Sequence, residues 1–257
     1  MLRSPREIAL LRKAGFVVWE AHQLAASMVR PGVTTAKIDA AVEQFFVERN
    51  VDPIFKGVPG PVPFPAVTCM SVNEEVVHGI PSDRVLKEGD ILSIDTGCRM
   101  RGWCGDAAVT HPVGQVTPEI QKLIDVTRGV LDLAIEQMAL CSLWSEVARQ
   151  MEIYVKDHGF SVVEAFVGHG IGREMHEDPQ VPNFLSRQLR QSGDFRLVPG
   201  LVIAVEPMVN MGSKQIRTRP DHWTQATVDG KPSAHFEHTI AIRESGPYVL
   251  TAGPEEG

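Results

Sequence analysis

The 257 residues are enough to bury one sizeable core, and 43% hydrophobic with 22% charged residues is the balance of an ordinary globular protein. A formal net charge of -7 and the absence of a Lys/Arg block argue against a nucleic-acid binder, because phosphate contacts need a basic face. No uncharged run is long enough to span a membrane, and "MLRSPREIALLRKAG" lacks an apolar signal core. Cys69, Cys98, Cys104 and Cys141 form no CxxC pair, so a cytosolic chain with reduced thiols is expected.

Ser4-Pro5-Arg6-Glu7 is a capping box with proline at the first helical position, and Ile8, Leu11 and Val18 follow at helical spacing. A second helix opens at Thr35, carries Ile38, Val42 and Phe46, and ends near Asn50. The stretch "FKGVPGPVPFPAVTCMSVNEEVVHGIP" is punctuated by Pro and Gly and predicts a long surface loop. A strand over Glu88–Asp95, a turn and a returning strand to Thr110 come next. Thr117-Pro118-Glu119 then repeats the helix start, with Ile120, Leu123, Ile124, Val130 and Leu131 behind it, and "EVARQMEIYVKDHGF" is a fourth helix closed by Gly159. "FVGHGIGREMHEDPQVPNF" is again broken by Gly and Pro, "PGLVIAVE" over Pro199–Glu206 is a strand, and "SAHFEHTIAI" over Ser233–Ile242 predicts the final one.

The order of elements occurs twice, roughly over 4–112 and 116–245, as expected of a duplicated α+β unit. At a register shift of 111, Gly89 falls on Gly200 and Asp95 on Glu206. Asp95 and Asp106 sit in apolar strand context, where a lone carboxylate is a turn acid, a paired core acid or a metal ligand. Two acids at equivalent places in two repeated strands are hard to explain as chance turn residues. Asp95, Asp106, His169, Glu206 and Glu237 together carry too much negative charge to share a core without cations. Four carboxylates with one imidazole suit Mn, Fe, Co or Zn, two ions of which would neutralise them.

In order along the chain, VNEEVVHGIP, DILSIDTG, WCGDAAVT, GHGIGREMHEDP, VIAVEPM and HFEHTIAI resemble the signature of the type I methionine aminopeptidases, over essentially the whole chain. The resemblance implies the pita-bread fold, an α+β arrangement of two pseudo-twofold-related halves around a dinuclear site, in a single catalytic domain spanning 1–257. It implies that Asp95 binds one divalent ion, that His169 and Glu206 bind the other, and that Asp106 and Glu237 bridge both. His78 would lie near the leaving nitrogen, His176 on the scissile carbonyl, and Glu206 would accept and donate the proton. Cys69, Met175 and Trp223 would line the methionine pocket. Asn73, Glu75 and Ser233 correspond to positions where relatives hold a monovalent cation, sodium or potassium, and plain turn residues remain an alternative there.

The implied activity is removal of the initiator methionine from nascent polypeptides with a small second residue, by a cytoplasmic monomer in transient contact with the ribosome. Leu2 would then leave Met1 in place. Two departures bear on the pocket: Val58 stands where a tyrosine is frequent, in a 58–66 loop that looks longer than usual, and Met175 stands where an aromatic is common. Proline-specific relatives usually carry an extra N-terminal domain for which the helix signal at Ser4 leaves no room. The type II enzymes carry a large insertion that the interval Glu206 to Glu237 lacks. Non-catalytic and creatinase-like relatives lose ligands that this chain keeps.

Overall fold

The computed structural model describes residues 2–187 and 189–254, so Met1, Gln188 and residues 255–257 of the expected domain lie outside the described residues. The helix starts follow the local signals. Helix α1 (Pro5–Met28) is capped by Ser4 in a reciprocal box with Glu7, and α2 (Thr35–Arg49) by Thr34, with Asn50 closing it in the left-handed conformation. Helix α3 (Pro118–Met138) starts at Thr117 and α4 (Trp144–Asp157) runs toward Gly159, whose φ is +86°.

The strands in chain order are β1 (Asp52–Pro53), β2 (Thr68–Val72), β3 (Glu75–Val77), β4 (Ile91–Met100), β5 (Trp103–Pro112), β6 (Ser161–Val162), β7 (Gly168–Gly170) and β8 (Glu177–Val181). They continue with β9 (Val202–Val205), β10 (Met208–Asn210), β11 (Ile216–Thr218), β12 (Gln225–Thr227), β13 (Ser233–His235), β14 (Glu237–Arg243) and β15 (Gly246–Val249). The main sheet has the order β1-β4-β5-β14-β9-β7-β8, with β2 added on β4 and β15 on β14. Its central strands all pair antiparallel, so one face of each can be read directly from the register.

The helices cover one face of this sheet. Val18, Ile38, Val42 and Phe46 pack on Leu92 and Ile94 in one cluster, while Leu123, Ile124, Trp144 and Met151 pack on Ile203, Val205 and Ile240 in another. Side chains alternate along a strand, so Ile94 and Val205 turn to the helices while Asp95 and Glu206 face away. Each fully buried aliphatic side chain contributes about 1.5–3 kcal/mol. Close approach of α1 to β5 needs Gly105, where a Cβ would lie 2.7 Å from the Gly15 nitrogen.

Two expectations need correction. The expected surface loop before His78 contains β2 and β3, and every residue of both strands is buried. Pro and Gly are confined to its first half and its end, and a strand covered on both faces shows no polar alternation to betray it. The expected final strand is interrupted at Phe236, between β13 in a separate three-stranded sheet and β14 in the main sheet. The further strand β15 then pairs with β14.

Candidate active site

Five neighbouring strands, β4, β5, β14, β9 and β7, deliver Asp95, Asp106, Glu237, Glu206 and His169, with Glu206 immediately after the end of β9. Ala108 stands opposite Asp95 on one side and Glu237 on the other, and Asp106 is two residues along β5, so these three acids share a face. His238 pairs with Val205 and His169 with Ala204, which sets Glu206 beside Glu237 and turns His169 to the same face. The structure thus brings together all five residues singled out in the sequence.

Asp106 and Glu237 are 3% and 2% exposed. Asp95 Oδ1, Asp106 Oδ1 and Glu237 Oε1 are buried with no hydrogen-bond partner, an expensive arrangement for oxygens that carry charge. Burial drives all four carboxyl groups upward, Asp95 to about 8, and their mutual repulsion pushes Asp106, Glu206 and Glu237 up further. One donor atom each from Asp106, His169 and Glu237 lie within 4.8 Å of one another. His169 Nδ1 donates to the Gly170 carbonyl at 2.9 Å, which leaves Nε2 with its lone pair toward Glu206 Oε1, 3.5 Å away. Burial, reinforced by His176, lowers His169 to about 4. A neutral imidazole among unpartnered carboxylate oxygens is a donor set that fits divalent cations.

The acids, with His78, His169 and His176, share a cavity of about 140 Å³ with Phe55, Val58, Phe64, Cys69, Met175 and Trp223, which form its apolar wall. A cavity of about 150 Å³ accepts a benzene-sized guest, so this one has room for one side-chain-sized group between the apolar wall and the acids. Trp223 donates its Nε1–H to Val62 O at 2.7 Å and meets Phe64 edge-on at 5.2 Å. Cys69 is buried, and burial first, then Asp95, raises its thiol, so it serves as an apolar wall rather than a nucleophile.

His78 and His176 also line this cavity. His78 has φ +59°, a left-handed conformation that costs about 1–3 kcal/mol in a non-glycine residue, and its ring lies between Phe166 and Trp223 at 5.2 and 6.3 Å. Burial, with His176 adding to it, lowers His78 to about 4. His176 is solvent-exposed at its edge but desolvated enough within the cleft to fall below its ordinary value, and its ring stands at 90° to His169 with centroids 4.4 Å apart.

The remaining candidates lie apart from the acids. The Asn73 carbonyl accepts the Ser233 N–H at 2.9 Å, and Ser233 Oγ donates to Val209 O. Glu75 accepts the Val72 N–H and pairs with Arg84 and Arg219, so its charge is already balanced. Sequence reasoning missed Phe55 and Phe64, the aromatic ends of "FKGVPGPVPF", whose burial the Pro/Gly composition between them disguised. It also missed His235, which is 2% exposed with Nε2 3.9 Å from Glu206 Oε2 and two positions before Glu237.

The model of metallopeptidase family M24 matches residues 9–244. Methionine aminopeptidase 1 of Bacillus subtilis is 43% identical over 249 residues, 97% of this chain and 98% of that protein. The methionine aminopeptidase of Clostridium perfringens is 45% identical over 251 residues, covering 98% of both chains. Among solved structures, a methionine aminopeptidase from Thermotoga maritima superposes with a TM-score of 0.90 at 41% identity, covering 98% of this chain and 99% of that one. A prolidase from Pyrococcus horikoshii shares the fold, with a TM-score of 0.78 at 21% identity over 99% of this chain and 64% of that one.

Proposed function

From the premise that this chain belongs to metallopeptidase family M24, among its methionine aminopeptidases, we propose that it uses two divalent ions to remove the initiator methionine from nascent polypeptides whose second residue is small. It is a metallohydrolase acting on N-terminal methionine. The observation that carries the reading is a small cavity in which an apolar wall of Phe55, Val58, Phe64, Cys69, Met175 and Trp223 faces four carboxylates and an imidazole presented by five adjacent strands. Asp95 would hold one ion, His169 and Glu206 the other, and Asp106 and Glu237 both. Bound divalent ions supply Lewis acidity and bring the pKa of a coordinated water toward neutrality.

The chain's own residues account for the rest. Cys69, Met175 and Trp223 take the methionine side chain and thereby orient the scissile carbonyl. Glu206 accepts a proton from the attacking water and returns it to the departing amine. His176, approaching the carbonyl oxygen, stabilises the negative charge that develops there, a contribution of about 3–4 kcal/mol for a well-placed donor. His78, held between Phe166 and Trp223, stands beside the leaving nitrogen and restricts the next side chain. Asn73, Glu75 and Ser233 are the candidates for a monovalent cation, sodium or potassium. Cobalt, manganese, iron and zinc all match the donor set.

We read residues 1–257 as one catalytic domain, acting as a monomer in the cytoplasm in transient contact with the ribosome. Among the described residues no helix is long and apolar enough to cross a membrane. The test is hydrolysis of Met-Ala-Ser measured together with metal content. Release of free methionine with two ions per chain is expected, and a metal-loaded chain that leaves Met-Ala-Ser intact would refute the function.

A further inference from the structure

Arg3 precedes the first helix and is only 8% exposed, an unusual position for a guanidinium. Its backbone N–H donates to Gly200 O at 2.7 Å, its guanidinium carbon lies 5.3 Å from the centre of the Trp103 ring, and its Nη2 is paired with Glu177 Oε2. The other oxygen of the same carboxylate, Oε1, accepts the backbone N–H groups of Arg173 at 2.9 Å and Glu174 at 3.3 Å. Above the pair, Cys104 N–H donates to Gly172 O at 2.8 Å, and Arg173 stacks on Trp103 at 4.4 Å. Gly172 lies so close that a Cβ there would overlap both Arg3 Nη2 and Glu177 Oε1. Residues 172–174 therefore rest directly on a partly buried ion pair.

That segment leads into Met175, on the wall of the cavity, and His176. His176 is partly open to solvent and meets His169 edge-on, so its position follows the backbone that carries it. Resting on the reading that His176 contacts the scissile carbonyl, we propose that the Arg3–Glu177 pair anchors residues 172–176 and that Arg3 is a positioning residue for His176. The logic is electrostatic. With its guanidinium removed, Glu177 is a partly buried carboxylate without its counter-charge, and it turns to water and releases the two amides it holds. A displacement of about 1 Å at a reacting centre costs about a hundredfold in rate.

The experiment compares Arg3→Met, Arg3→Lys and Glu177→Gln in the metal-loaded full chain. In Arg3→Met, kcat on Met-Ala-Ser should fall about ten- to a hundredfold with metal content unchanged, and amide exchange should quicken at Arg173 and Glu174 but not in α3. Arg3→Lys, which keeps the charge but loses the fork, should recover part of kcat. A merely structural role would raise exchange throughout and leave kcat per folded molecule intact. That outcome, or unchanged kcat with unchanged exchange at Arg173 and Glu174, overturns the proposal. Should Arg3→Met fail to fold, Arg3→Lys and Glu177→Gln carry the same comparison, and wild-type behaviour in both rejects the anchor. Inactivity of the unaltered enzyme on Met-Ala-Ser would instead refute the functional reading, while the exchange comparison still decides the anchor.

Discussion

Asp95 and Glu237 flank Ala108 from the two strands on either side of β5, so two acids more than a hundred positions apart in sequence stand on one face, one strand pairing to each side of the same alanine. Asp106, two residues along from that alanine, joins them, and each of the three leaves a buried oxygen without a partner. Asp106→Asn or Glu237→Gln deletes charge from the middle of this group. Metal affinity should weaken about a hundredfold or more, with activity lost in parallel. Calorimetric titration with a divalent metal, alongside assays of Met-Ala-Ser, checks this; tight binding of two ions by one of these variants would remove the altered residue from the ligand set.

The two histidines on the 168–176 stretch should separate cleanly. His169 Nε2 faces Glu206, and its Nδ1 is committed to a carbonyl, so His169→Ala should lower metal content. His176→Ala should keep metal content and lower kcat, by about a hundredfold for a lost oxyanion donor. Metal analysis of both proteins beside their kinetics decides between the roles, and a His176→Ala protein short of metal would reverse them.

On the proposed reading, the second residue of the substrate is screened by His78, whose ring packs against Phe166 and Trp223. Met-Ala-Ser should be cut about a hundredfold faster than Met-Leu-Ser if a branched side chain there shifts the carbonyl by about 1 Å. Val58 lines the same cavity, and Val58→Tyr should narrow it and sharpen the preference. Equal kcat/KM on the two peptides would show that His78 does not screen the second residue.

A pH dependence of stability follows from His22, which is 4% exposed, donates its Nε2–H to Ala107 O at 2.8 Å, and is lowered by burial to about 4. A depressed folded-state value means that the unfolded chain binds the proton first. The contribution is therefore full above the unfolded value of about 6.5 and is lost as pH falls toward 4, on the order of 3 kcal/mol in all. His22→Gln keeps a donor for Ala107 but cannot titrate. The stability difference between wild type and this variant, from urea unfolding, should move in favour of the variant between pH 6.5 and 4. A difference that stays constant with pH would rule out titration of His22 as the cause.

Much of this protein could be read locally, because the signals act over a few residues. Ser4, Thr117 and Asn50 cap or close helices through hydrogen bonds to their own neighbours, and the four acids of the site stand out because a carboxylate among Ile, Val and Ala is costly wherever the chain goes, whereas His169, between glycines, stood out only through the family resemblance. The repeated register likewise set Asp95 and Glu206 at equivalent places. What local signals could not supply was long-range pairing. Only the register of β5 between β4 and β14 turns Asp95, Asp106 and Glu237 to a common face, since a slip of one residue would send a whole strand's set to the other side. Only tertiary packing makes Thr68–Val72 a buried strand behind a Pro/Gly-rich segment, folds Phe55 and Phe64 over the cavity, and carries Arg3 across the molecule to Glu177. Those contacts join residues from distant parts of the chain, and their free energy comes from excluding water and satisfying charge, which depends on neighbours that sequence order does not reveal.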